Sequence, residues 1–289
     1  MTVVVAASSR DVLGECPVHD IADGSLRWVD IGRSLWHRLD LGSGQVTTFS
    51  VEPALTAFAP TDKGDYIGAF VSGLARLDGQ GKRGTWLAQP EADIATNRFN
   101  DAGTDPAGRL IAGTMNMHDG APTGALYGLS GNDLSLLRPQ VGIANTIAFS
   151  PDGCRLYTAD SAKGDLAAFV YDPQTGRIGQ RIKSFRPDPN LPGVPDGSAM
   201  DAEGCLWNAR WDGGCVVRLA PDGTTLAVID LPVRLPTSCC FVGRSLYVTT
   251  STWDFAEADF AAEPMAGHLL CIDVNVNGQP RPPFATAGT

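Results

Sequence analysis

The segment Asn97–Asp101, with the sequence Asn-Arg-Phe-Asn-Asp, holds side chains whose types and spacing could do chemistry. If a β-strand begins here, side chains two residues apart share a face, so Arg98 and Asn100 point into one space while Phe99 and Asp101 point the other way. A guanidinium and an amide oxygen on one face suit a site that holds a metal ion beside a polar ligand. The same string is also typical of a turn with an Asx hydrogen bond that leads into a strand.

Three further positions carry an oxygen ligand at comparable places along the chain. Glu15 lies in Gly-Glu-Cys-Pro, Asn145 in Ala-Asn-Thr and Asp196 in Pro-Asp-Gly. With Asn100 they offer two carboxylates, which neutralise a divalent ion, and two amide oxygens, which add ligands without excess charge. The set favours Ca²⁺, Mg²⁺ or Mn²⁺ over a structural zinc, although four oxygens also accept Zn²⁺ or Fe²⁺. Six-coordinate geometry leaves about two positions for water or substrate, which favours catalysis.

Six similar strand segments indicate the elements that would position these side chains. Each is rich in aromatic and aliphatic residues, and most follow a turn rich in Gly and Asp. One buried-type residue can be chosen as a marker in each segment: Trp28, Ile67, Ile111, Tyr157, Trp207 and Tyr247. Subtraction gives steps of 39, 44, 46, 50 and 40 residues between consecutive markers. A period of about 40 to 50 residues with several short strands per repeat is typical of a β-propeller.

The repeats predict an all-β, six-bladed β-propeller with about four strands per blade, formed by residues 1–289 as a single domain. A β-sandwich is the structural rival, but it gives no reason for a sixfold period. We expect the ring to be closed by an N-terminal strand, Thr2 to Ala7, beside the last blade. The strand before each marker should be the innermost one. Glu15, Asn100, Asn145 and Asp196 begin four of these strands, so we expect them at one mouth of the central channel.

Composition narrows the class of ligand. The formal net charge of −10 argues against nucleic acid or an anionic membrane surface as partner, so a small molecule is the better expectation. The N-terminus lacks the basic region of a signal peptide, and no apolar run approaches the length of a transmembrane helix. The seven cysteines form no Cys-x-x-Cys pair, and we interpret them as reduced thiols of a cytoplasmic protein. We expect a monomer or a weak homo-oligomer.

Several motifs together resemble the SMP-30/gluconolactonase/regucalcin-like family. They are Leu13–Pro17, Asn97–Asp101, Gly113–Met115, Ile143–Asn145 with Phe149–Gly153, and Pro195–Gly197. The likeness runs from about residue 13 to beyond residue 250. It implies a six-bladed propeller that hydrolyses sugar lactones, with a divalent metal held by Glu15, Asn145 and Asp196, and with Arg98 and Asn100 binding substrate. Within such a family Asn100 is compatible with either metal or substrate contact.

The resemblance leads to a mechanistic hypothesis. A sugar-acid lactone, such as a pentono- or gluconolactone, would be hydrolysed to the aldonic acid, with one divalent ion polarising the carbonyl. Asp196 is the expected catalytic general base that activates water. Arg98 and Asn100 would hold the sugar hydroxyls. No Gly-x-Ser-x-Gly segment is present, so nucleophilic serine catalysis is disfavoured.

Other residues and functions remain open on the sequence alone. His118 is either a substrate contact or a plain loop residue, and we expect Trp211 and Trp253 to pack the top surface rather than to line the pocket. The alternative function is a non-catalytic calcium-binding regulatory propeller, because a fold does not fix a function. A weaker alternative, hydrolysis of an ester or phosphotriester, needs a more apolar pocket than Arg98, Asn100 and His118 provide.

Overall fold

The computed structural model describes residues 2–182, 185 and 187–286. Its strands form six four-stranded antiparallel sheets, which are the six blades of a β-propeller. The prediction of an all-β, six-bladed propeller is therefore confirmed. Within the described residues no helix has the length and apolar character needed to span a membrane. All seven cysteines are free thiols, and four of them are buried.

The first strand of each blade lies innermost, as predicted from the markers. These inner strands contact one another in a closed ring around the channel. Their bounds are β2 Gly14–Asp20, β6 Leu55–Pro60, β10 Asn97–Thr104, β14 Ala144–Phe149, β18 Val194–Met200 and β22 Pro236–Val242. The second strands, which carry the six markers, are β3 Ser25–Asp30, β7 Tyr66–Phe70, β11 Leu110–Asn116, β15 Arg155–Asp160, β19 Leu206–Trp211 and β23 Ser245–Thr250.

The third and outermost strands complete the blades. The third strands are β4 Leu35–Asp40, β8 Gly73–Leu77, β12 Gly124–Ser130, β16 Asp165–Asp172, β20 Cys215–Leu219 and β24 Leu269–Asp273. The outermost strands are β5 Val46–Ser50, β9 Arg83–Ala88, β13 Asp133–Val141, β17 Arg177–Arg181, β21 Thr225–Asp230 and β1 Val3–Ala7. Strand β1 pairs antiparallel with β24, so an N-terminal strand closes the ring as predicted.

Two short helices interrupt the pattern between second and third strands. A 3-10 helix, Ser161–Lys163, follows β15, and helix α1, Glu257–Ala262, lies between β23 and β24. The core lies between neighbouring blades, where the second strands are almost fully buried. Between the first two blades, Trp36 meets Phe58 and Tyr66 edge-on with ring centroids 5.2 and 4.9 Å apart. Such aromatic pairs hold one blade against the next.

Candidate active site

A break in strand pairing positions each candidate side chain. In every blade the register between the first and second strands shifts near the start of the inner strand, for example between Glu15 and Val18 and between Asn145 and Ala148. A β-bulge of this kind bends the strand and re-aims side chains. Cys16 and Thr146, which directly follow Glu15 and Asn145, have left-handed φ angles of 47° and 56°. The bulges therefore turn the side chains at the strand starts toward the channel mouth.

The predicted metal and substrate residues meet in one cavity at this mouth. Glu15, Arg98, Asn100, Asn145 and Asp196 all line a cavity of about 460 Å³. They come from four different blades, and the closed ring of inner strands brings them together. Asn100, Asn145 and Asp196 are each at most 8% exposed, so they form the floor of the cavity.

A chain of hydrogen bonds fixes the amides of this floor. The Arg98 guanidinium donates to Asn100 Oδ1 at 2.7 Å, and Asn100 Nδ2 donates to Asn145 Oδ1 at 3.0 Å. Asn145 Nδ2 in turn donates to Ser161 Oγ at 2.9 Å, and Ser161 donates to the carbonyl of Pro195 at 2.6 Å. The chain links three blades, so the side chains on it are held in place before any ligand arrives.

The two floor carboxylates are held in an unfavourable electrostatic environment. Burial and the nearby charge of Asp101 raise the pKa of Glu15 to about 8, although the N–H of Cys16 and the charge of Arg98 act in the opposite direction. Burial also raises the pKa of Asp196 well above its ordinary value, and the charges of Glu15 and Asp101 add to the effect. Additional positive charge at this place would favour the ionised form of both groups.

The residues present fit a divalent ion. Asp196 Oδ1 is buried and has no hydrogen-bond partner among the described residues. An orphaned carboxylate oxygen beside a second carboxylate and an amide oxygen is the ligand chemistry of a hard cation. The described residues contain no group of three or more His, Cys, Asp or Glu side chains that could hold a metal. An ion here would take amide or water oxygens in addition to the two carboxylates.

Asp101 departs from the simple strand alternation expected for the Asn97–Asp101 segment. The register of β10 shifts between Phe99 and Ala102, so Asp101 does not simply share a face with the buried Phe99. Burial raises the pKa of Asp101, whereas the charge of Arg281 and backbone N–H groups, including that of Ile147, lower it. Asp101 is thus a third carboxylate close enough to influence Glu15 and Asp196.

Around the polar floor, the cavity wall is apolar. Leu13, Met115, Ile143 and Val194 line it, and so do three side chains at or just after the ends of second strands: Met117, Trp211 and Trp253. The expectation that Trp211 and Trp253 pack the top surface rather than line the pocket is wrong. Trp211 ends the second strand β19 and Trp253 follows β23. These strand ends lie at the same mouth as the start of the inner strand, because adjacent strands of a blade are antiparallel.

His118 does not lie in this cavity. Its side chain is exposed and is not among the residues that line the cavity, whereas the adjacent Met117 is. The backbone N–H of His118 donates to Asn116 Oδ1 at 2.8 Å, which places it in a tight turn after β11. A substrate contact by His118 stays a prediction that this geometry does not support.

Ser161 is a site residue that the sequence reasoning missed. It orients Asn145 and lines the cavity floor, with an exposure of 9%. A signal was present in the repeat, because Ser161 stands four residues after the marker Tyr157. Met115 and Trp211 stand four residues after the markers Ile111 and Trp207, and both also line the cavity.

The comparison with protein families agrees with this geometry. Residues 13–252 match the model of the SMP-30/Gluconolactonase/LRE-like region. The chain belongs to this family. The match begins with Leu13 at the cavity wall and ends one residue before Trp253, so this family region includes all the residues of the cavity floor.

Individual members of the family resemble the chain along nearly its whole length. It is 36% identical over 290 residues to a 6-deoxy-6-sulfogluconolactonase of Pseudomonas putida, covering 98% of this chain and 99% of the relative. It is 33% identical over 291 residues to a pentonolactonase of Haloferax volcanii, covering 97% of each. The crystal structure of a calcium-binding protein, regucalcin, from Agrobacterium tumefaciens superposes with a TM-score of 0.91 at 30% identity, covering 97% of this chain and 96% of that one.

Proposed function

We propose that the protein hydrolyses a sugar-acid lactone to the aldonic acid and needs one bound divalent ion to do so. The observation that carries the proposal is the cavity floor, where the unpartnered Asp196 Oδ1 lies together with Glu15, Asn145 and Arg98. The lactonase class agrees with the family members, two of which are named as lactonases of sugar acids. The prediction of a lactonase is confirmed at that level.

Glu15, Asn145 and Asp196 are the residues that would hold the ion. When bound, the ion supplies Lewis-acid chemistry at the lactone carbonyl and balances the charge that develops on its oxygen. Asn145 suits this role better than Asn100, because its Oδ1 accepts a hydrogen bond from a neutral amide at 3.0 Å, whereas Asn100 Oδ1 accepts a shorter, charge-assisted one from Arg98 at 2.7 Å. This difference favours Asn100 as a substrate contact. A set of oxygen ligands accepts Ca²⁺, Mg²⁺, Mn²⁺, Zn²⁺ or Fe²⁺, so these are the candidate ions.

Asp196 is the group positioned to take a proton from water. Its backbone is held by Thr146 and Asn208, which donate to its carbonyl at 2.5 and 3.0 Å, while its side-chain Oδ1 has no partner in the part of the chain that the structure describes. As water attacks the carbonyl carbon, its oxygen bonds to that carbon and one proton passes to Asp196. The ring C–O bond then breaks, and the proton is returned to the leaving ring oxygen.

Arg98 and Asn100 bind and orient the substrate in this proposal. The Arg98 guanidinium is held by the Phe99 carbonyl at 2.8 Å and by Asn100, so its remaining N–H groups have a fixed direction. Such a donor gives short, charge-assisted hydrogen bonds to sugar hydroxyls. Burial lowers the pKa of Arg98 to about 10, which leaves it charged at neutral pH.

The alternative is a non-catalytic calcium-binding propeller with the same ion site. The similarity to a calcium-binding regucalcin favours an ion at this place but does not distinguish a structural ion from a catalytic one. The room in the cavity above the floor and the presence of Arg98 in the same cavity favour the enzyme.

The test is proton release from a panel of aldono-1,4- and 1,5-lactones. Protein stripped with a chelator is compared with protein reconstituted with each candidate ion. We expect hydrolysis to appear only after reconstitution. Asp222→Asn, which changes an exposed turn carboxylate, is the matched control and should behave as the wild type. If protein that binds one ion per chain hydrolyses none of the lactones in the panel, the result would instead support the non-catalytic alternative.

A further inference from the structure

The side chains that line the cavity change from polar at the floor to apolar at the rim. Its floor consists of carboxylate, amide, guanidinium and hydroxyl groups, namely Glu15, Asp196, Asn100, Asn145, Arg98 and Ser161. Its remaining lining residues are all apolar: Leu13, Met115, Met117, Ile143, Val194, Trp211 and Trp253. Exposure follows the same order, since Asp196 is 5% exposed whereas Trp253 and Met117 are 44% and 52% exposed. A ligand that fills this cavity meets polar groups at its inner end and apolar side chains at its outer end.

The rim offers no counter-ion for an anionic substituent. Arg98 is the one cationic side chain among the described residues that line the cavity, and it belongs to the floor. Basic residues next to the lining are bonded elsewhere. These contacts are Arg210 to the carbonyls of Pro192 and Gly193, Arg234 to Asp212, and Lys163 to Asp160.

From this arrangement, and resting on the proposed function, we propose that the preferred substrate is a neutral aldonolactone whose end away from the carbonyl is deoxygenated. A 6-deoxyhexonolactone, which ends in a methyl group, is the chemical class that matches the rim. The carbonyl and ring hydroxyls would lie on the floor near Asp196 and Arg98. The methyl end would lie between Trp211, Trp253 and Met117.

Three groups at the same carbon of the substrate would interact differently with the rim. A methyl group placed against the rim removes apolar surface from water on both sides and gains about fourfold in binding. A terminal hydroxyl at the same place loses part of its hydration without finding a polar partner in the rim. A sulfonate would lie against indole and thioether groups without a cation, which is the most unfavourable of the three.

The proposal separates this chain from one of its relatives. The Pseudomonas putida relative is named for a substrate with a sulfonate at carbon 6. The apolar rim here predicts that such a substrate is rejected, although the two chains are 36% identical.

The experiment uses three lactones that differ at one carbon. Metal-loaded protein is given glucono-1,5-lactone, 6-deoxyglucono-1,5-lactone and 6-deoxy-6-sulfoglucono-1,5-lactone, and kcat/KM is measured from proton release. We expect the 6-deoxy lactone to exceed the parent by roughly 5- to 30-fold and the sulfonated lactone to fall at least roughly 100-fold below the 6-deoxy lactone. A parent lactone that is hydrolysed as well as the 6-deoxy lactone, or a sulfonated lactone that matches it, overturns the inference. No hydrolysis of any of the three overturns it together with the proposed function.

Variants at the rim test whether these side chains set the preference. In Trp253→Gln and Trp211→Gln we expect the ratio of kcat/KM between the 6-deoxy and parent lactones to fall toward one. Leu226→Gln, which changes an exposed residue on the outermost strand β21, is the control and should keep the wild-type ratio. An unchanged ratio in both tryptophan variants contradicts the role given to the rim.

Discussion

The two ends of the central channel are formed by the same six inner strands but differ in what covers them. At the end where the inner strands begin, the cavity of about 460 Å³ opens between loops and holds Glu15, Asn145 and Asp196 on its floor. At the end where they finish, residues 277–286 are hydrogen-bonded to the ends of several blades, and residues 277–282 line a second cavity of about 290 Å³ together with inner-strand residues such as Phe58 and Met200. The first end is therefore open between loops, whereas the second is partly covered by the chain's own C-terminal segment.

Main-chain hydrogen bonds attach this C-terminal segment to four blades, including one from the N–H of Gly278 to Gly243 O of the last blade at 2.9 Å. The N–H of Gln279 donates to Met200 O at 2.9 Å, that of Ala285 to Gly108 O at 2.8 Å and that of Phe284 to Pro60 O at 2.8 Å. The Phe284 side chain is 2% exposed and belongs to the core shared by the first three blades. This segment ties blades together in addition to the closure made by β1.

At the end where the inner strands begin, a buried carboxylate oxygen is left without a partner, whereas in the C-terminal segment the buried side-chain atom without a partner among the described residues is a neutral amide oxygen, Gln279 Oε1. Arg281, from the C-terminal segment, donates to the Ser198 carbonyl at 2.7 Å and lowers the pKa of Asp101 by its charge. Asp196, whose pKa is raised by burial and by the charges of Glu15 and Asp101, keeps an oxygen without a partner among the described residues. Unsatisfied buried groups cost stability, and they are kept where a ligand completes them.

The largest expected effect is the loss of activity in Asp196→Asn. We expect kcat/KM to fall by about 10²- to 10⁴-fold, because the amide cannot accept the proton from water. The midpoint of thermal unfolding of the metal-free variant should not fall, since an unfavourably buried carboxylate has been removed. Lactone hydrolysis and thermal melts of the variant and of Asp222→Asn check both statements. Full activity in Asp196→Asn would remove this residue from the mechanism.

At the opposite end we expect a substitution to lower stability without lowering activity. Phe284→Ala removes a buried aromatic side chain, and we expect it to lower the free energy of unfolding by about 3 to 5 kcal/mol. At a temperature where the variant is folded, its kcat/KM should match the wild type. Phe260→Ala is the matched control, since Phe260 is 43% exposed on helix α1 and its loss should change stability by less than about 0.5 kcal/mol. A specific loss of activity in folded Phe284→Ala would break the separation between the two ends.

A smaller effect is expected at Arg98, on the open end. Arg98→Met removes charged hydrogen bonds to substrate. We expect a loss of transition-state stabilisation of about 1.5 to 3 kcal/mol, which lowers kcat/KM roughly 10- to 150-fold. Arg181→Met changes an exposed arginine paired with Asp165 and should leave kcat/KM unchanged. Equal kinetics in the two variants would exclude Arg98 from substrate binding.

The last prediction concerns how the stability of the metal-free protein changes with pH. The pKa of Glu15 is about 8 in the fold against an ordinary value of 4.5, so the folded state binds more protons between these values. Glu15 therefore contributes a loss of stability as pH rises from about 4.5 to about 8. In the presence of a chelator, the wild type should lose thermal stability relative to Glu15→Gln over this range. A gain relative to Glu15→Gln would contradict the sign of this shift.

Much of the fold was predictable because the repeat is local. Each blade carries its own marker, such as Trp28 or Trp207, and a sixfold period leaves little choice of architecture. The gathering of Glu15, Asn145 and Asp196 then follows from ring closure alone. These residues were recognisable because each begins an inner strand.

The remaining features depend on contacts between distant parts of the chain. The register shift in β10 between Phe99 and Ala102 leaves Asn100 and Asp101 outside the regular strand pairing, and nothing in a single strand predicts such a shift. Met117 and Trp253 reach the cavity from loops of different length, so their direction could not be predicted from strand alternation. Phe284 lies beyond the last repeat, and its place near Pro60 is set by tertiary packing alone.

The most direct test is a titration of chelator-treated protein with a divalent ion, in which ion binding by calorimetry and lactone hydrolysis are followed on the same sample. The account predicts that one ion binds per chain and that hydrolysis rises in proportion to the bound fraction, with both responses weakened in Glu15→Gln. Full hydrolysis before any ion is added, or saturation with the ion without hydrolysis of any lactone, would contradict it.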